Sequence, residues 1–102
     1  MRKIMVVRHK IRDYSLWKPI FDESEEKRRE YGLKGGCINR NLNDPSELVV
    51  TLEIESVERA TEFMKSPYVK TAMEKAGVLG EPVIYFLESL AEVPELTTTG
   101  KT

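Results

Sequence analysis

The two strongest β-signals in the chain, KIMVVRHKI (3–11) and PVIYFLESL (82–90), stand near its two ends, and neither alternates cleanly between apolar and polar residues. A strand in a sheet covered on one side only shows apolar residues on one face and polar residues on the other. Here Ile4 and Val6 point one way while Met5, Val7 and Ile11 point the other, and Val83, Tyr85 and Leu87 oppose Ile84 and Phe86. Both faces of such strands have to be covered.

The segments between them say what is available to do so. Asp13 is a natural helix N-cap, because its carboxylate can accept from backbone N–H groups two or three residues on. Trp17, Ile20, Phe21, Ser24, Arg28 and Tyr31 follow it at helical spacing. Pro19 disfavours helix at Lys18, so the pattern predicts one turn over 14–17 and a main helix from Lys18, closed by Gly32 as a left-handed cap. GGCINRNL (35–42) and ELVVTLEI (47–54) read as a hairpin around the turn cluster Asn43-Asp44-Pro45-Ser46. Ser56 caps a helix over 57–65, and Ser66-Pro67 opens a second piece that Gly77 stops.

The resulting order, βαββαβ without internal repeats, predicts an α+β, ferredoxin-like fold: a four-stranded antiparallel sheet with its helices on one face. Those helices cover one side. The simplest cover for the other is a second copy of the chain, a homodimer packed sheet on sheet, and the bland alternative is that a few apolar residues simply face solvent.

At 102 residues the chain has room for one domain, expected over 1–92, with a polar, loose tail over 93–102. Basic and acidic residues balance at 16 against 17. There is no basic footprint for nucleic acid, and the strand at 47–54 offers no aromatics on which bases could stack. The longest apolar runs, IMVV (4–7) and VIYFL (83–87), are far too short to span a bilayer, and Arg8 ends the first before it could act as a secretory signal. Cys37 is the only cysteine, so no internal disulfide forms and a reducing cytoplasm is the expected location. One cysteine and one histidine supply no paired metal-ligand set, and no phosphate loop or nucleophile elbow occurs. Neither a metal nor another cofactor is expected.

Six residues are candidates for a small-molecule site. His9 is the expected catalytic group, since an imidazole lining a cavity can transfer protons near neutral pH or orient a hydroxylated substrate. Its bland alternative is a strand-end histidine bonded to backbone or water. Trp17, Phe21, Phe63, Met73 and Tyr85 are the expected substrate-binding walls between sheet and helices, although helical spacing alone also produces a packed core. Ser24 and Arg28 continue the Trp17–Phe21 stripe as polar residues. That pattern fits either a cavity with convergent polar groups or a helix overhanging the sheet, and the charged EEKRRE (25–30) favours the overhang. Arg40 could bind an anion or pair with an acid such as Glu53 across the dimer, the second being preferred on an edge strand. Cys37 has no basic sequence neighbour to activate its thiol.

Residues 3–90 resemble the dimeric α/β-barrel superfamily, which includes antibiotic-biosynthesis monooxygenase-like and cyclase-like proteins. The resemblance is carried by DYSLWKPIFD (13–22), by SPYVKTAMEKAGV (66–78) with its split helix, and by RHK (8–10) in the first strand. It implies a homodimer whose two sheets form a barrel with helices outside, and a cavity between sheet and helices in each subunit. Members of that superfamily use the cavity for cofactor-free oxygenation, isomerisation, ring closure or haem chemistry. Trp17 on the first helix and His9 on a strand do not reproduce the arrangement of the haem-degrading members.

Two functions follow as expectations. One is a cofactor-free monooxygenase- or cyclase-like enzyme acting on a small aromatic or carbonyl metabolite. The other is a non-catalytic small-molecule-binding or stress-response dimer. Cavity volume separates them: ligand pockets run about 300 to 1,000 Å³, and a void under about 100 Å³ leaves no room for a metabolite.

Overall fold

Three side chains start the helices where the sequence places them. Asp13 accepts from the Ser15 N–H at 3.0 Å, Ser56 from the Arg59 N–H at 2.9 Å, and Ser66 from the Val69 N–H at 3.3 Å. The computed structural model describes residues 2–96. Its elements are β1 (Lys3–Ile11), α1 (Tyr14–Glu23), α2 (Glu25–Glu30), β2 (Leu33–Asn41), β3 (Asp44–Ile54), α3 (Val57–Met64), α4 (Pro67–Lys75) and β4 (Val78–Glu88). The strands form one antiparallel sheet in the order β2-β3-β1-β4. This is the ferredoxin-like α+β fold expected from the element order. Of the expected loose tail, residues up to 96 carry no helix or strand, and 97–102 lie outside the described residues.

The sheet has one covered face and one bare face. Met5, Val7, His9 and Ile11 of β1 and Leu48, Val50, Leu52 and Ile54 of β3 are buried beneath Trp17, Ala60, Phe63, Val69 and Ala76 of the helical layer and its margins. On the opposite face Ile4, Val6, Val49 and Thr51 are only half-buried, while Val83, Tyr85 and Leu87 of β4 are exposed. The register puts Tyr85 beside Val6 and Leu87 beside Ile4, so these side chains form one contiguous apolar surface. The two-sided strands read from the sequence are therefore two-sided in the fold, and one chain covers only one side.

Local boundaries depart from the sequence reading in three places. Pro19 does not interrupt α1, which runs through it from Tyr14 to Glu23. The break comes instead at Ser24, where side chains occupy the last carbonyls of α1: Ser24 Oγ donates to the Ile20 carbonyl at 3.1 Å and Arg28 Nη1 to the Phe21 carbonyl at 2.6 Å. The hairpin turn lies at Leu42-Asn43, with the Asn43 N–H donating to Asn41 Oδ1 at 2.8 Å, and β3 already begins at Asp44. Pro45 is tolerated because the register between β2 and β3 shifts there.

The last strand starts at Val78 rather than 82 and absorbs a bulge. Arg8 pairs with Val83 and Lys10 with Leu79, which leaves Gly80, Glu81 and Pro82 opposite the single residue His9. Gly80 has φ +72°, a left-handed conformation that a side chain would strain.

Candidate functional site

His9 occupies the position in β1 where the sheet is least regular, with Leu48 of β3 on one side and the β4 bulge on the other. Its neighbours on the covered face, Met5, Val7 and Ile11, carry it under the helices, and it is only 6% exposed. The imidazole lies 5.7 Å from the Trp17 ring, which stacks on Phe21 at 4.9 Å and on Tyr14 at 5.9 Å. Nδ1 of His9 is buried and has no hydrogen-bond partner among the described residues. Burial pushes the imidazole below its ordinary pKa of 6.5, with a Val7 backbone group pulling partly the other way. The ring is therefore neutral at pH 7 and holds an unused polar atom in an apolar setting.

His9 lines a chamber of about 90 Å³ between sheet and helices. Met5, Val7, Val50 and Leu52 form its floor, and Trp17, Phe21, Phe63 and Met73 form walls. The structure thus brings together His9 and four of the five expected wall residues. Tyr85 is the exception and a correction. It pairs with Val6 on the bare face and is 51% exposed, because side chains alternate along β4; Ile84 and Phe86 share the face of Met5 and Val7 instead, although on this edge strand they too stay exposed.

The polar end of the first helical stripe also needs correcting. Ser24 is buried and Arg28 half-buried, and both line the chamber instead of overhanging the sheet. Tyr68 of α4 joins them by donating its hydroxyl to Ser24 Oγ at 3.1 Å. Nothing local in the sequence marks Tyr68, since the contact spans 44 residues. Arg40 sits on the covered-face side of β2 with its guanidinium 5.1 Å from the Tyr14 ring, while Glu53 lies on the other face beside Ile4. Cys37 is exposed.

Beyond Phe21 and Arg28 the chamber adjoins a wider cleft of about 550 Å³ between α2 and β2. Phe21, Arg28, Leu33, Val50 and Leu52 line both spaces. Gly36 forms part of the cleft and cannot be replaced, because a Cβ there would stand 1.7 Å from the Thr51 carbonyl oxygen. The chamber alone falls under the limit of about 100 Å³ set above. A ligand of ordinary size has to extend into the cleft. Among the described residues no group of three or more His, Cys, Asp or Glu side chains comes together that could hold a metal ion.

Comparison with solved structures places this geometry. A candidate antibiotic biosynthesis monooxygenase from Bordetella bronchiseptica superposes with a TM-score of 0.72 at 10% identity, over 89% of this chain and 100% of that one. A cofactor-independent oxygenase from Streptomyces nogalater, SnoaB, gives 0.70 at 10% identity, over 92% and 98%. A conserved protein from Methanosarcina mazei Go1 gives 0.65 at 14% identity, over 88% and 95%. The chain has the fold of the antibiotic biosynthesis monooxygenase-like proteins. At these identities the likeness extends to the fold alone. No family model matches the sequence, and no curated protein matches it either. Among the described residues no helix is long and apolar enough to cross a membrane.

Proposed function

We propose that the protein is a homodimeric, cofactor-independent enzyme of the oxygenase or cyclase type, located in the cytoplasm. It acts on a small aromatic or carbonyl-bearing metabolite seated in the chamber and its adjoining cleft. The observation that carries this reading is His9 in the lining of an aromatic-walled space, with its buried Nδ1 unpartnered among the described residues. An orphaned polar atom in such a place costs free energy unless a ligand satisfies it. His9 takes the proton from an activated C–H or O–H of the substrate, leaving the electron pair on an enolate or phenolate that the neighbouring rings flank. In the oxygenase case dioxygen then takes up electrons from the substrate carbanion, and a CH₂ group and O₂ become C=O and H₂O. The SnoaB likeness supports that chemistry as a class.

The dimer forms through the bare sheet face, where Val6, Val49, Tyr85 and Leu87 supply an apolar surface. A second reading, a non-catalytic binding or stress-response dimer, is favoured by one observation, the 90 Å³ size of the chamber. Native mass spectrometry of protein taken from cells without added ligand tests both. A dimer carrying a reproducible adduct of a few hundred daltons, lost in His9→Gln, supports the occupied site. A clean dimer that turns over no phenolic or β-dicarbonyl substrate moves the assignment to the non-catalytic reading. A monomer at micromolar concentration overturns the dimer.

A further inference from the structure

Arg28 stands in the wall between chamber and cleft as a cation without an anion. Its guanidinium carbon lies 3.8 Å from the centre of the Phe21 ring. Its Nη1 donates to the Phe21 carbonyl at 2.6 Å, and that carbonyl also accepts from the Ser24 N–H at 3.2 Å, so it does not depend on Arg28. Nearby charges are already taken: Arg29 pairs with Glu25 at 2.8 Å, Lys18 with Asp22 at 2.9 Å, Lys27 with Glu30 at 3.6 Å and Lys34 with Glu55 at 3.9 Å. Among the described residues none of these carboxylates forms an ion pair with Arg28. Burial disfavours its charge, while Glu25 and Asp22 act on it from a distance.

A guanidinium presents five N–H donors in a planar fork, and the Phe21 carbonyl leaves most of them free. Stacking on Phe21 holds the fork in place before any ligand arrives. A partly desolvated fork of this kind gains most from a planar oxyanion that takes two parallel hydrogen bonds. Ser24 Oγ and the Tyr68 hydroxyl line the same end of the chamber, while Trp17 and His9 lie at its aromatic end. The site therefore has an apolar pole and a cationic pole.

We infer that the ligand of this site is an aromatic carboxylate, with its ring directed into the chamber toward His9 and its carboxylate held by Arg28 on the cleft side. This rests on the chamber being the substrate site and adds the chemical class that the site selects. Arg28 is then a binding residue that fixes which end of the substrate meets His9.

The chain has a single tryptophan, Trp17, so one indole N–H resonance reports on the chamber. Titrating ¹⁵N-labelled protein with phenylacetate and with its neutral counterpart phenylacetamide compares the same ring with and without the anion. The expected result is about tenfold or more tighter binding of phenylacetate, the worth of a charge-assisted pair. Arg28→Gln should abolish that preference by weakening the acid alone, and Arg28→Lys, which keeps the charge without the fork, should retain part of it. Equal binding of the two probes by the unaltered protein would overturn the inference and leave the chamber reading intact. A preference that survives in a folded Arg28→Gln protein would overturn it as well. If neither probe moves the Trp17 resonance, the chamber reading falls and the inference with it.

Discussion

Leu48 and Val49 are neighbours in β3, yet they face different worlds. Leu48 is 1% exposed beneath the helices, and Val49 is half-buried on the bare face. The same contrast runs through β1, where Met5, Val7 and His9 are enclosed and Ile4 and Val6 are not. Apolar character is similar on the two faces, so what separates them is the presence of a covering layer. The covered face excludes water, and there a single polar atom such as His9 Nδ1 acquires chemical significance. The bare face has side chains but no enclosure, which the proposed dimer would supply.

Four experiments test this contrast. The largest effect is expected from Leu48→Ala, which should lose about 2 to 5 kcal/mol in urea unfolding, while Val49→Ala should lose less than about 1 kcal/mol at concentrations where the chain is monomeric. Similar losses at both positions would mean that the faces are equally enclosed. Next, Tyr85→Lys should convert the expected dimer to monomer in sedimentation velocity while preserving the near-ultraviolet signal of Trp17. A charge placed at a desolvated contact is costly, whereas on a free surface it is not. A variant that remains dimeric would remove Tyr85 from the interface.

A smaller effect concerns pH. Because the folded state holds the His9 pKa below 6.5, the unfolded chain takes up a proton first as the pH falls. Stability should be full above 6.5, decline below it, and level off under the folded pKa. In His9→Gln that decline should disappear, as followed by urea unfolding at several pH values; an unchanged profile would mean that His9 is not held neutral. The smallest effect is expected at the rim of the covered layer, where Ser66→Ala removes the α4 cap and should cost about 1 kcal/mol in thermal unfolding. A loss of several kcal/mol there would show that α4, with Tyr68 and Met73, is far more rigidly coupled to the chamber than its caps imply.

Much of the architecture was legible because it is encoded locally. Asp13, Ser56 and Ser66 announce helix starts through side-chain oxygens that reach the next turn. Gly32 and Gly77 announce stops and both adopt positive φ. Pro19 misled because its local penalty is outweighed by the packing of Trp17, Ile20 and Phe21 against the sheet. Tyr85 misled for another reason. Which parity of β4 meets the helices depends on register with β1, and a shift of one residue exchanges the faces.

The order of elements, their caps and the presence of strands apolar on both sides follow from spacing along the chain. His9 also stands out in the sequence as the chain's one imidazole. It took the folded sheet and helices to fix which face His9 shares, that Gly80–Pro82 bulge opposite it, and that Ser24, Arg28 and Tyr68 line one chamber. Those relations join residues tens of positions apart. They are set by strand register and by the seating of helices on the sheet, which spacing along the chain does not encode.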